Sequence, residues 1–304
     1  MKSVAKKDHS ITGYALGRVC FERAISDIIE SFGWALLRPP FCVFMDTSAV
    51  EKVALKPISL GQVLKRGFSD AWDRLGLVVA SSLVWSLSVI VPISIFSLAR
   101  NIYMFVAGLV VAWIISTPIL IGIFRMAQKV VYRDDPSFGD VMGGFRVLRW
   151  SAYAMSAINI GTIAILSMDA VYFLGVTGQT KLPKLLTLGI GVLSVYVLVG
   201  WMLAMLYQSP ALVAQKPFGQ RPGAIQAIKK SWLLAIGNPV FTIGLFVVIL
   251  GFSVLSALSV IGMLILYAGV VSIILTRALR ELFVRYGVVE ESSEENVDSG
   301  WHIK

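Results

Sequence analysis

Few residues of the chain carry side chains that could take part in acid–base, nucleophilic or metal chemistry away from its ends. The two histidines, His9 and His302, lie in the terminal segments, and the two cysteines, Cys20 and Cys42, lie near the amino terminus. This inventory excludes a histidine-dependent triad or a His-ligated metal site in the body of the chain. The sequence also lacks an HExxH motif, a phosphate-binding P-loop and a CxxC pair. We therefore expect no catalytic residues, no cofactor and no metal, and we predict that the protein is not an enzyme.

Three polar residues draw attention because they lie in or beside long apolar runs. Asp169 is the only acidic residue in a central position of such a run, Asn159 precedes it in the same run, and Arg100 lies between the first two runs. An ionised carboxylate at the centre of a membrane span costs about 2.5–3.5 kcal/mol. We expect Asp169 to face the other helices and to pair with Arg100. The alternatives are that Asp169 couples to a proton or a substrate, or that it borders a water-filled funnel.

The runs that carry these residues are apolar enough to require lipid. Of the 304 residues, 57% are hydrophobic and 15% are charged, and the mean hydropathy is +0.78. Soluble domains usually have about 25% charged residues, and a membrane span needs about 20 apolar residues. The runs of sufficient length are 75–98, 102–124, 151–176, 185–207 and 240–276, and the last can hold two spans with a turn near 255–258. We predict an all-α, polytopic membrane bundle of about six transmembrane helices.

Basic residues are distributed unevenly around these runs, and this sets the expected orientation. Lysine and arginine are concentrated before the first span, after every second span and after the last one. The other connections carry only Arg100, Lys181 and Lys184. By the positive-inside rule, both termini then lie in the cytoplasm, and the protein is a multi-pass component of the plasma membrane. The net charge of +9 fits contact with anionic lipid at the cytoplasmic face, and nucleic acid is not expected as a partner.

Two segments lie outside the predicted membrane domain, which covers residues 58–287. Residues 1–57 form an N-terminal cytoplasmic segment that is a disordered tail, an interfacial helix, or a stretch upstream of a translation start at Met45. Residues 288–304 are rich in glutamate and are expected to form a solvated, acidic cytoplasmic tail.

Amphipathic helices precede three of the apolar regions and suggest an internal repeat. Apolar residues recur at helical spacing in 58–74, 137–148 and 216–237, and basic residues lie beside them. Such helices are typical of the membrane–water interface. We predict three repeats, each an interfacial helix followed by a helical hairpin, in which Phe68, Phe145 and Trp232 are buried and hold the helix to the hairpin.

The last apolar region contains two pairs of glycines. Gly244 and Gly251, and Gly262 and Gly269, are each two helical turns apart, so each pair lies on one helix face. Small residues in this arrangement let membrane helices approach closely. We expect these four glycines to pack the last two helices against each other.

Short motifs along the spans resemble the YesL-type family, which is also called domain of unknown function 624. They are LGLVV at 75–79, TP at 117–118 with Arg125, DDPSF at 134–138, FR at 145–146, LY at 206–207 with Pro210, LAIGNP at 234–239 and TRAL at 276–279. The resemblance covers residues 58–280 and implies a bacterial integral membrane protein. Some members are encoded near carbohydrate-uptake genes, which implies an accessory role in sugar transport. The family defines no catalytic residues that could be carried over.

Two functions fit these observations. The first is a non-catalytic accessory or scaffold component of a transporter or another membrane complex, and the scarcity of charge within the spans favours it. The second is a small transporter or channel in its own right. Asp169, Asn159, Pro118 and Pro210 keep the second function open, because broken helices with polar groups can line a transport site.

Overall fold

The computed structural model describes residues 58–98, 101–176, 184–215, 223–286 and 288. Within these ranges the chain is helical and forms no strand. The helices are α1 (Leu60–Asp73), α2 (Leu75–Ser97), α3 (Ile102–Val131), α4 (Phe138–Val171), α5 (Lys184–Ala214), α6 (Ala224–Gly237), α7 (Pro239–Leu258), α8 (Val260–Ile265) and α9 (Tyr267–Arg285). A π-helical turn, Tyr172–Val176, follows α4 directly. The predicted N-terminal segment 1–57 lies outside the described residues, and so does the acidic tail beyond 288.

Within the described ranges, five helices are long and apolar enough to cross a membrane by length and composition. The corresponding stretches are Leu75–Ser97, Ile102–Val131, Arg146–Leu174, Leu185–Ala214 and Pro239–Leu258. Large apolar side chains cover their outer surfaces, and Leu185 and Val240 are 83% and 85% exposed. An apolar surface of this extent is unfavourable in water and fits lipid. The all-α prediction is confirmed, and the five helices fit a multi-pass membrane protein.

The predicted sixth span is divided and is not a continuous apolar helix. Helix α7 ends at Leu258, inside the interval predicted for the turn, and α8 then runs for only six residues. Leu266 separates α8 from α9. The second half of α9 carries Arg277, Arg280 and Glu281, and these charges keep it out of the set of sufficiently apolar helices. The exact number of spans therefore stays a prediction.

Helix α9 is the centre of the bundle. It contacts α1, α2, α3, α5 and α7, and residues 272–279 are all buried. Ile273 and Ala278 lie on different faces of α9, and neither is exposed at all. The buried residues include the polar Ser272 and Thr276 and the charged Arg277.

Helix α1 packs on α9 through small side chains. Val63, Gly67 and Ala71 form its buried face, and a Cβ atom at Gly67 would lie 3.2 Å from a side-chain carbon of Ile274. Phe68 is 46% exposed, so the prediction that it is buried is wrong. The helices approach most closely where the side chains are smallest. The ring of Phe68 instead packs edge-on against Phe252 of α7, with the ring centroids 6.4 Å apart.

The second predicted interfacial helix, 137–148, is not a separate element. Helix α4 runs from Phe138 to Val171 without interruption, so these residues form the first turns of a long helix. The other two interfacial helices do end before the next span begins: Arg74 separates α1 from α2, and Pro239 is the first residue of α7. No residue between Leu148 and Ser151 breaks a helix, which explains the continuity of α4. The three-repeat architecture itself stays a prediction.

Trp232 and Phe145 were also predicted to be buried and to hold an interfacial helix to its hairpin. Trp232 of α6 is partly buried, and its ring packs edge-on against Trp201 of α5, with the ring centroids 5.9 Å apart. This contact joins α6 to α5. The side chain of Phe145 lies outside the described part of the structure, so its burial stays a prediction.

The four glycines that were expected to join the last two helices have different surroundings. Gly244 faces α1, and nothing lies within 4 Å of a Cβ atom built on Gly251. Gly262 lies within α8, beside Ser259 and Ser256, whereas Gly269 packs against Val78 of α2. The break at Leu266 starts α9 beside α2, so Gly269 packs the last helix against the first span and not against α7.

Helices α3 and α4 cross at two glycines that the sequence analysis did not identify. A Cβ atom at Gly144 would lie 2.7 Å from the Cα atom of Gly122, and one at Gly122 would clash with the carbonyl oxygen of Val141. Any larger side chain would push the two backbones apart. This crossing fixes the position of α4, which carries Asn159 and Asp169.

Candidate functional site

Asn159 lies in a hydrogen-bond relay between α4 and α5. It is buried near the middle of the 29-residue stretch Arg146–Leu174. Its Nδ2 donates to Oε1 of Gln208 at 2.5 Å, and its Oδ1 accepts from Nε1 of Trp201 at 3.2 Å. Gln208 is 1% exposed, and its Nε2 has no hydrogen-bond partner among the described residues. The structure thus places Asn159 inside the bundle, and its partner is a glutamine of the next span.

Gln208 and Trp201 were not among the predicted site residues. Gln208 could have been identified from the sequence, because a glutamine inside a long apolar run is rare and usually faces the interior of a bundle. Sequence alone could not identify the partner, since the pairing depends on how α4 and α5 are rotated.

Asp169 does not belong to this relay. It lies in the last turn of α4 and is partly exposed, and the helical rise of 1.5 Å per residue separates it from Asn159 by about 15 Å along the axis. Arg100 falls in a gap between the described ranges. The predicted ion pair between Asp169 and Arg100 therefore stays a prediction, and so do the alternative roles of Asp169.

A second polar group lies at the break before α9. The hydroxyl of Ser86 lies 3.3 Å from the carbonyl oxygens of Met263 and Leu264, which are near the end of α8. The hydroxyl oxygen of Ser82, one turn earlier on α2, accepts from the backbone N–H of Gly269 at 2.8 Å. The two serines are buried and satisfy backbone groups on both sides of the break. Such groups are costly to leave unpaired in a membrane.

Pro118 interrupts the hydrogen bonding of α3, and side chains compensate. A proline cannot donate to the carbonyl four residues earlier, which here belongs to Ile114. The hydroxyl of Tyr153 on α4 donates to this carbonyl at 2.7 Å. Beside it, Nε1 of Trp113 donates to the hydroxyl of Ser156 at 2.7 Å. These polar groups of α3 and α4 hold two helices together.

Charged side chains meet at the end of the bundle that carries α1, α6 and the last turns of α3 and α9, which we call the basic end. Arg277 is buried, and its guanidinium lies 3.6 Å from Asp70 and 3.7 Å from Glu281. It also donates to the carbonyl oxygen of Val131 at 3.5 Å, while Arg66 reaches Glu281 at 3.4 Å. Burial raises the pKa of Asp70, although Arg277 counteracts it. The network joins α1, α3 and α9.

Asn238 connects the start of α7 to the end of α9 at the same end of the bundle. Its Oδ1 accepts from the guanidinium of Arg285 at 2.8 Å, and its Nδ2 donates to the hydroxyl of Tyr286 at 2.7 Å. Asn238 itself is buried. The chain therefore returns, by the end of α9, to the side from which α7 began.

Within the ranges that the structure describes, no group of three or more histidine, cysteine or acidic residues is placed to hold a metal ion. The polar groups that the structure brings together are neutral amides, hydroxyls and indoles in the helices and ion pairs at the basic end. Comparisons of the chain with protein-family models, curated proteins and solved structures find no match. The resemblance to the YesL-type family consequently stays a prediction.

Proposed function

We propose that the protein is a non-catalytic accessory or scaffold component of a membrane complex. The observation that carries this proposal is the use of the polar side chains inside the helices: Tyr153, Ser156, Ser82 and Ser86 all pair with backbone or side-chain groups of a neighbouring helix. A bundle held in this way is rigid and leaves few groups for chemistry. A link to carbohydrate transport rests on the family resemblance alone.

The proposal includes a place in the cell. The protein is a six-span protein of the plasma membrane with both termini in the cytoplasm, where α8 and α9 together make the sixth span. The basic end then faces the cytoplasm and contacts anionic lipid. Its exposed Lys65 and Arg66 on α1 suit the headgroup region.

Two measurements on one preparation test the scaffold function. The tagged protein is purified from its native membrane in mild detergent, and the ratio of any co-purifying membrane protein is determined. The purified chain alone is then reconstituted in liposomes and assayed for flux of glucose and small ions. We expect a partner at a fixed ratio and no flux above that of empty liposomes. A solitary chain that conducts a solute would contradict the proposal.

A small transporter is the alternative, and two observations favour it. The last span is discontinuous at Leu266, and the amide of Gln208 is buried without a partner among the described residues. Discontinuous helices and polar groups near the midplane are features of secondary transporters. Under this alternative, the liposome flux would be lost in Gln208→Leu and retained in Gln226→Leu, since Gln226 is exposed on α6.

A further inference from the structure

The relay between α4 and α5 has a fixed polarity. The indole N–H of Trp201 can only donate, so the oxygen of the Asn159 amide must face it. Nδ2 of Asn159 then points toward Gln208, which accepts through Oε1. Turning either amide over would set two donors or two acceptors against each other. The –NH2 group of Gln208 is therefore directed away from the relay, with two hydrogens to donate.

This –NH2 group is both buried and unpaired. Gln208 is 1% exposed, and within the described ranges its Nε2 has no hydrogen-bond partner. Buried amide donors in native structures are nearly always paired with protein groups or with ordered water. The same turn of α5 also contains Pro210, which cannot donate to the carbonyl of Leu206 as a regular helical residue would. The N–H donors of Gln208 and the carbonyl oxygen of Leu206, which lacks its usual helical donor, thus lie within one turn of α5.

We propose that the Gln208 amide is a binding site for a hydrogen-bond-accepting oxygen inside the membrane domain. Two donors and no charge select a neutral or anionic oxygen and disfavour a cation. Water has this chemistry, and so does the hydroxyl or carboxylate of a polar solute. Occupancy by water is compatible with the scaffold function, and occupancy by a solute is expected for the transporter alternative. The proposed binding site therefore does not depend on either function.

Solid-state NMR of the full chain in lipid bilayers tests the site. The glutamine side-chain amides are labelled with 15N, and the Gln208 resonance is assigned by its loss in Gln208→Leu. Magnetisation transfer from water is then measured. The amide of Gln226, exposed on α6, is the positive control. The indole of Trp113, labelled in a parallel sample, is the negative control because Ser156 accepts its hydrogen bond.

In the first sample, we expect magnetisation transfer from water to the Gln208 amide. A second sample contains protonated glucose in deuterated water, and the other supporting result is transfer from the sugar to this amide. The first result assigns the site to water and the second to a solute. The absence of both transfers, with Gln226 giving its signal, would overturn the proposal.

A variant that keeps Gln208 provides an independent check. Trp201→Phe removes the donor that fixes the polarity, so Asn159 can turn over and accept from the Gln208 amide. We expect the Gln208 amide to lose its contact with the ligand in Trp201→Phe. The control is Trp113→Phe, which also removes an indole, but from the contact between α3 and α4. In this control we expect the contact of the Gln208 amide with its ligand to be retained. An unchanged contact in Trp201→Phe would contradict the fixed polarity from which the site follows.

Discussion

At the scale of single residues, Asp140 joins the start of one helix to the end of another. Its Oδ2 accepts from the backbone N–H of Ser137 at 2.8 Å and from the Ser137 hydroxyl at 2.9 Å. Its Oδ1 lies 2.9 Å from Nζ of Lys129, in the last turn of α3. Burial alone would raise the pKa of Asp140, but the hydrogen bonds from Lys129 and Ser137 together lower it. The charged form of Asp140 therefore stabilises the folded protein.

We predict that Asp140→Ala lowers the free energy of unfolding by about 1 kcal/mol, the usual effect of losing a helix-capping side chain. Because the folded pKa lies below the unfolded value of about 3.9, the contribution is fully present above that pH and is lost as the pH falls through the folded pKa. Thermal unfolding in detergent, at neutral and at acidic pH, measures both effects. The exposed Asp135 gives the control Asp135→Ala, and an equal loss in the two variants would contradict the prediction.

Asp70 gives a second prediction at this scale. It is the partner of the buried Arg277, whereas Asp73 is exposed on the same helix. Removing one member of a buried charge pair leaves the other without compensation. We predict that Asp70→Asn destabilises the protein by about 1–3 kcal/mol and that Asp73→Asn changes stability by less than about 0.5 kcal/mol. Denaturant or thermal unfolding of both variants at neutral pH would show the difference, and similar values would argue that Arg277 is held by Glu281 and Val131 alone.

At the scale of helices, close packing depends on which glycines face a neighbour. Gly144 lies in the crossing of α3 and α4, whereas nothing lies within 4 Å of a Cβ atom at Gly161 on the same helix. Both changes to alanine favour the helix by up to about 1 kcal/mol, but overpacking costs about 1–3 kcal/mol. We predict that Gly144→Ala lowers the melting temperature and that Gly161→Ala leaves it unchanged or raises it. A stable Gly144→Ala variant would show that the two helices can separate without loss.

The break before α9 depends on α2 for its hydrogen bonds. Ser82 and Ser86 pair with backbone groups on either side of it, while the hydroxyl of Ser88 donates within its own helix, to the carbonyl of Trp85. We predict that Ser82→Ala and Ser86→Ala each cost about 1 kcal/mol or more and that Ser88→Ala costs less. Melting temperatures in detergent and protease resistance of α8 and α9 are the measurements. If all three variants behave alike, the serines do not support the break.

The sequence predicted the helices well and their relations less well. Uncharged runs such as 75–98 must satisfy their backbone hydrogen bonds internally, so composition alone predicts α2 and the following spans. The break at Leu266 carries no proline and no charge, and Ser82 and Ser86 of a distant helix pair with backbone groups on both sides of it. The relay of Asn159 with Gln208 likewise depends on the rotation of two helices. Neither relation leaves a pattern within any single segment.

At the scale of the whole molecule, the described part of the structure is organised around its last helix, α9. Helix α9 is buried on all sides over residues 272–279 and contacts five described helices besides its neighbour α8, including α1 through the face of Val63, Gly67 and Ala71. The ion pairs of Arg277 and the bonds of Asn238 join both ends of the described chain at the basic end. The central position of α9 implies that the hairpins before it complete their packing only when it is present.

The same contacts bear on the orientation in the membrane. Arg285, in the last turn of α9, bonds to Asn238 at the start of α7, so α7 leaves the basic end and α8 with α9 return to it.

We therefore predict that the tail beyond α9 lies on the same side as the connection between α5 and α6, and that the connection between α4 and α5 lies opposite. After Cys20→Ser and Cys42→Ser, single cysteines at Gly219 and Val297 should react with impermeant reagents only from inside, and one at Gln179 only from outside. If the cysteines at positions 219 and 179 reacted from the same side of the membrane, the result would contradict the topology. Reaction of the Val297 position from outside would instead show that α8 and α9 do not cross the membrane again.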